Sequence, residues 1–290
     1  MALEQERHAL LSRYNHERLA PALPGADWID KLGEEMEIRL LEGELIESER
    51  DHVAARAAQA PTDVKSFVRW FEGLERTGPG QHDPLFPWIA ERATREQLRW
   101  FLRQEVAGEA GFDDLVALSQ LKLADRPKLE MARNYWDEMG RGHEGGMHGP
   151  MLARLAHALH VDELDVPVVW EAVALGNVMM ALAANRRYAY QAIGALGVIE
   201  LTAPARAAHV NHAMKRLDVP AHDRQYYALH ATLDIKHANA WIAEVIAPLV
   251  ADDPTVASAI AEGALMRLSC GARCFSRYRA ELQVRTLLAA

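Results

Sequence analysis

Apolar residues recur at intervals of three and four along almost the whole chain, the spacing of a helix with one buried face. Alternation of the strand type is absent over any useful length. Proline and glycine then cut the pattern into elements. An N-terminal pair of helices is predicted over roughly Leu3 to Leu19 and Asp27 to Gln59. A helix follows in "PTDVKSFVRWFEGLER", begun by Pro61 and Thr62 and ended by Gly78, Pro79 and Gly80. "DPLFPWIAERA" reads as a short connector. "TREQLRWFLRQEVAGEAGFDDLVALSQL" reads as one long helix, with Thr94 as N-cap and Gln97 three residues on, a capping box. Pro127 opens "PKLEMARNYWDEMG", and the turn "GRGHEGGMHG" leads into "PMLARLAHAL". Pro167 opens a very apolar stretch ending near Thr202, and Pro204 starts a short helix. Pro220 opens the helix of "LHATLDIKHANAW", which runs to Pro248, and a last helix starts near Pro254. The pattern predicts an all-α fold: a helical bundle over residues 94–290, with N-terminal helices (1–93) packed on it as an extension of one continuous domain.

Composition narrows the partners. Half of the 290 residues are hydrophobic, ample for a buried core, and 25% are charged, as in an ordinary globular domain. The net charge of −9 lacks the basic footprint of a nucleic-acid binder. "MALEQERHALLSRYNHERL" is charged throughout, and no apolar run approaches a bilayer span, so no membrane partner is expected. The longest apolar stretch, "PVVWEAVALGNVMMALAA", contains Glu171 and Asn177 and reads as a buried core helix. Cys270 and Cys274, at i and i+4, read as free core thiols, and the expected compartment is the cytoplasm. Thirteen histidines are many for this length and cluster unevenly, which directs attention to metal chemistry.

Four segments carry candidate chemistry. In "FLRQEVAGEAGFDDL", Glu105 sits among Leu102, Val106 and Phe112, with Glu109 one turn on. "NYWDEMGRGHEGGMHG" has Glu138 at a helix end and His148 after the turn. In "YQAIGALGVIELTAPA", Glu200 closes a run of small and apolar residues with no basic neighbour within one turn. "LHATLDIKHANAW" places His230, Asp234 and His237 on one helical face. Each has a plain reading. Glu105 alone is a solvated residue or a partner of Arg103, and Glu138 is a helix-end charge, although a C-terminus opposes it. His148 alone caps the next helix, and His143 and Glu144 face water. The His/Asp/His set alone is a polar stripe. Glu200 resists this treatment, because a carboxylate in apolar surroundings must be paired, protonated or bound to a metal. Bundles of facing helices build dinuclear sites from inward-pointing Glu and His, and such donors suit iron or manganese.

On "NYWDEMGRG…MHGPML", "AIGALGVIEL" and "LHATLDIKHA", the chain resembles the heme-oxygenase-like diiron oxidases and oxygenases, iron-containing redox enzymes. The resemblance covers roughly Thr94 to Pro248, and its most specific element is the His-x3-Asp-x2-His helix. It implies a heme-oxygenase-like helical bundle with Glu105, Glu138, His148, Glu200, His230, Asp234 and His237 as metal ligands. No catalytic residue beyond the ligands is implied. Glu109 remains a rival to Glu105, and His143 or Glu144 to the members on either side. Two ferrous ions are implied as cofactor, with manganese as the other candidate and dioxygen as co-substrate. The substrate would be a small amino-acid-, amine- or fatty-acid-like molecule of a biosynthetic pathway. N-oxygenation, C–C cleavage and decarboxylation all stay open, and an external electron donor is a candidate partner. Tyr188, Tyr190, Tyr226, Tyr227, Arg186 and Arg187 lie near ligand-bearing segments, where an Arg in the pocket would favour a carboxylate. Their plain reading is rim salt bridges and core aromatics. Competing readings are a metal-independent enzyme of the same fold, of the thiamin-salvage or quinone-cofactor biosynthesis type, and a non-catalytic iron-binding helical protein. A homodimer is expected from base rates alone.

Overall fold

Thirteen α-helices are ordered along residues 2–284, the part of the chain that this computed structural model describes. They are α1 (Ala2–Leu19), α2 (Trp28–Ala57), α3 (Val64–Thr77), α4 (Leu85–Arg92), α5 (Arg95–Gly108), α6 (Phe112–Ser119) and α7 (Asp125–Glu138). There follow α8 (His148–Ala158), α9 (Trp170–Ala184), α10 (Ala189–Arg216), α11 (Gln225–Ala240), α12 (Ala247–Asp252) and α13 (Val256–Glu281). Among the described residues there is no strand, only one isolated bridge from Met139 to Met147 that closes the glycine-rich turn. None of these helices is long and apolar enough to cross a membrane.

The structure departs from the predicted elements where proline and glycine act differently in context. The connector after Gly80 is the helix α4. The long helix begun at Thr94 has its capping box, but it breaks at Glu109–Gly111 into α5 and α6. Glu109 is extended and Gly111 takes φ +73°, a conformation that glycine adopts without the Cβ penalty. The apolar stretch after Pro167 divides at Asn185 and a 3-10 turn, Arg186–Tyr188. Pro204 starts nothing, because α10 runs straight through it. It has no N–H for the carbonyl four residues back, that of Glu200. Pro248 likewise does not end the His230 helix: α11 continues through a π-helical stretch, Trp241–Ile246, into α12.

α10 is the axis of the bundle, packed chiefly against α11 and α13. At its crossing with α13 the backbones touch. A Cβ on Gly194 would stand 1.9 Å from the Ile260 carbonyl oxygen, and one on Gly263 would stand 1.8 Å from that of Gln191. One buried cluster joins Leu11, Ile46 and Phe71 of the N-terminal helices to Ile193, Val245 and Ile260 of the bundle. A second gathers Phe86, Phe101, Leu155, Val210 and Phe275 beneath α4, α5 and α8. α1 is also tied to α9 by buried amides: Asn15 Nδ2 donates to Asn177 Oδ1 at 2.9 Å, and Asn177 Nδ2 donates to the His8 carbonyl at 2.9 Å. The two cysteines are buried free thiols of α13.

Candidate metal centre

A cavity of about 190 Å³ runs between α5, α7, α8, α10, α11 and α13. Glu138, His148, Glu200, His230 and Asp234 line it, and His237 stands one turn beyond Asp234. Glu138 ends α7 and is 4% exposed, and His148 begins α8 across the turn. The bridge Met139–Met147 holds the two ends together. A Cβ on Gly140 would lie 2.4 Å from the Gly146 carbonyl carbon, so the turn closes only with glycine there. Glu200 projects from mid-α10. His230, Asp234 and His237 project from successive turns of α11.

Two triads result, with Glu138 common to both. Donor atoms of Glu138, His148 and His230 lie within 4.8 Å of one another, and so do those of Glu138, Glu200 and His237. His148 Nδ1 stands 2.5 Å from Glu138 Oε2, and His237 Nδ1 stands 3.5 Å from Glu200 Oε2. Neither approach has the alignment of a hydrogen bond, which leaves both Nδ1 atoms buried without a partner. Asp234, 2% exposed, has an unpartnered Oδ1 and feels the charges of both Glu200 and Glu138. Buried polar atoms are ordinarily satisfied, so this concentration of orphans fits a metal-binding site.

Two of the three histidines are held through one ring nitrogen. His230 Nδ1 lies 2.7 Å from the Tyr226 carbonyl oxygen, which fixes Nδ1–H and leaves the Nε2 lone pair free. His237 Nε2 lies 3.1 Å from Asp137 Oδ2, and Asp137 in turn accepts from Arg141 Nε at 2.6 Å. Asn134 Nδ2 donates to Glu200 Oε1 at 2.6 Å. Histidines that bind metals donate their other N–H in this way.

Electrostatics agrees with the geometry. Burial, followed by the charge of Glu200, raises the Glu138 carboxyl to about 9. Burial and the same neighbouring carboxylates push Asp234 far above the carboxylate range. Burial lowers His148 and His230 to about 4, so both are neutral at physiological pH and can act as ligands. Burial also pulls His237 down, but Glu200 and Asp137 together outweigh it and raise the ring to about 9. The chain alone cannot keep these crowded carboxylates ionised, whereas divalent cations would. The donor set, mixed carboxylate and imidazole, fits iron.

Five of the seven residues singled out in the sequence thus bring donor atoms together, and Asp234 and Glu105 line the same cavity outside the two triads. Glu105 faces it beside Arg206, Arg267 and Tyr278. Its rival Glu109 is the residue whose charge registers at Glu138 and at Tyr226. The break after Gly108 brings Glu109 there, and its Oε1 accepts from the Phe112 N–H at 3.1 Å. Both line the cavity wall, Glu105 half-buried and Glu109 still open to solvent, and desolvation raises both carboxyl groups. His143 and Glu144 are exposed in the turn. Arg186 points away, donating to the carbonyls of Leu118, Ser119 and Leu121, while Arg187 and Tyr190 are exposed and Tyr188 donates to Glu47. Tyr226 and Tyr227 do line the cavity. Asn134 and Asp137 escaped sequence reading, although they share one face of α7 with Glu138 at i, i+3 and i+4. Arg206 and Arg267 carried no local signal.

The arrangement of helices is similar to that of a crystal structure from Shewanella denitrificans, a domain of unknown function with a heme oxygenase-like fold. The likeness extends over 76% of this chain and 91% of that one, with a TM-score of 0.51 and 15% identity. The fold is therefore the heme-oxygenase-like helical bundle. The profile of the iron-containing redox enzyme family matches residues 99–272, and the chain belongs to that family. The match spans every candidate ligand from Glu105 to His237. No relative is found among curated proteins.

Proposed function

We propose that the chain is a dioxygen-dependent non-heme diiron oxidase or oxygenase acting on a small molecule held in the cavity. The observation that carries this reading is the pair of triads sharing Glu138. One ion would be held by Glu138, His148 and His230, and the other by Glu138, Glu200 and His237, with Asp234 and Glu109 completing the set. When bound, the ions supply the one-electron and dioxygen chemistry that side chains lack, with an external donor providing electrons.

The chain's own residues do the rest. Asp137 and the Tyr226 carbonyl hold His237 and His230 in one tautomer each, and Asn134 fixes the rotamer of Glu200. Leu152, Leu175, Met179 and Ile199 form the apolar wall beside these polar groups, which limits water at the reacting centre. The cavity is comparable with the ~150 Å³ void that accepts a benzene, so the substrate is small.

Reconstitution with ferrous iron under anaerobic conditions, followed by stopped-flow exposure to oxygen, tests the reading. The expected result is about two irons per chain, with a transient visible absorption that candidate substrates accelerate. Absence of iron uptake, or tight uptake of a single other metal, would sink it. Iron that stays bound and inert in oxygen would leave a non-catalytic iron-binding protein.

A further inference from the structure

Beyond the metal cluster, the same cavity holds two guanidinium groups that no feature of that cluster explains. Arg206 comes from α10 and Arg267 from α13, and Glu105 of α5 lies close enough to both to feel their charge. Among the described residues, neither guanidinium stands within ion-pair distance (4.0 Å) of a carboxylate, although most arginines inside this fold are paired or bonded to carbonyls. Arg206 Nη2 donates to Thr202 Oγ1 at 3.0 Å, and its guanidinium lies 5.5 Å from the centre of the Phe275 ring. Arg267 Nε and Nη1 are enclosed without any hydrogen-bond partner. Room for this guanidinium depends on Gly271, where a Cβ would lie 3.0 Å from Arg267 Nη1.

Glu105 feels both guanidinium groups and Glu109 feels that of Arg267, but neither carboxylate closes an ion pair with them, and Arg267 Nε and Nη1 keep no partner. Buried charge of that kind is costly unless paired, and the planar donor fork of arginine matches a carboxylate. Neither arginine is among the charges that chiefly shift Glu138 or Asp234, which come from Glu200 in both cases, from His237, Glu109 and Asp113 at Glu138, and from Glu138 at Asp234.

Resting on the diiron reading for the chemistry, we propose that Arg206 and Arg267 form a carboxylate anchor at the end of the cavity away from the metal cluster. The substrate is then a small monocarboxylate. Its carboxylate sits on the arginines, and a different part of the molecule faces the ions. Decarboxylation at the metal is thereby disfavoured in favour of oxidation remote from the acid group.

Anaerobic calorimetry on the iron-loaded chain tests this, with hexanoate and benzoate as probes against hexanamide, benzamide and inorganic phosphate. The carboxylates should bind and the amides should bind at least about 10-fold more weakly, as charged hydrogen bonds are lost. Arg267→Gln and Arg206→Gln should each weaken carboxylate binding by about 10- to 100-fold, with amide binding and iron content unchanged. Arg267→Lys and Arg206→Lys keep the charge without the fork, and should recover part of the loss. They also guard against a Gln variant that misfolds. Carboxylate affinity untouched in the variants would overturn the proposal, leaving the arginines as counter-charges to Glu105 and Glu109. Phosphate binding as tightly as benzoate would overturn the assignment of the ligand as a carboxylate. Repeating the series on zinc-loaded protein separates the two readings, because the anchor should discriminate acid from amide whether or not iron chemistry occurs.

Discussion

Glu138 is the residue on which most of the candidate site depends, since it belongs to both triads. Its replacement by Ala should remove more iron than loss of any single histidine, measured as metal per chain after reconstitution. The residues behind the ligands make a finer test. Asp137→Asn keeps a partner for His237 Nε2 but removes the charge, and should weaken ferrous iron binding by about 10- to 100-fold with little change in folding. Glu105 and Glu109 can be told apart directly. Glu109→Gln should lower iron content, whereas Glu105→Gln should leave it intact. The reverse outcome would return Glu105 to the ligand set. None of these distinctions was legible in the sequence. Glu105 and Glu109 are one helical turn apart, and only the break at Gly111 separates their directions.

Elements hold these residues by close backbone contact. The α10–α13 crossing admits no side chain at Gly194 or Gly263. Gly194→Ala should destabilise the protein by at least ~1–3 kcal/mol, because backbone rather than a yielding side chain blocks the new methyl. Gly43 of α2 has open space around it, so Gly43→Ala should be neutral or stabilising by about 0.5–1 kcal/mol. Chemical denaturation of both variants decides this; equal effects would mean that the crossing relaxes. The helical periodicity announced α10 and α11 but not their continuity through Pro204 and Pro248. Proline was read as a boundary, whereas burial on all sides of α10 outweighs one lost hydrogen bond. The π-helical stretch after His237 is the other local departure, and such turns recur near functional sites.

For the whole molecule, the crowded titratable groups predict how the metal-free chain responds to pH. Glu138 and His237 are both raised to about 9 and Asp234 is raised as well, so the folded chain keeps protons that the unfolded chain has released above its ordinary values of 4.5, 6.5 and 3.8. Their stabilisation is complete below those values and is lost as pH rises toward 9. His148 and His230, lowered to about 4, act in the opposite sense, but only below their ordinary value of 6.5. Between pH 6.5 and 9 every contribution therefore has one sign. Each proton of difference is worth about 1.4 kcal/mol per pH unit, and each kcal/mol shifts Tm by ~2–4 °C. Metal-free protein should melt about ten degrees or more lower at pH 8.5 than at pH 6.5, and iron-loaded protein should show a shallower slope. A flat metal-free profile would mean that the carboxylates relax apart without ions.

The sequence by itself determined the helical class, most helix positions and five residues whose donor atoms come together. These follow from local periodicity, capping chemistry and the side-chain spacing of a single helix, as in His230, Asp234 and His237. Only the tertiary structure sets Glu105 and Glu109 on the wall of one cavity. It also decided that Asn134 and Asp137 stand behind the ligands, and that Arg206 and Arg267 enter the same cavity from helices distant in sequence. The physical reason is that these roles are relations between elements. A guanidinium on α13 and a carboxylate on α5 become neighbours only when both helices pack against α9, and no pattern within either helix encodes that approach.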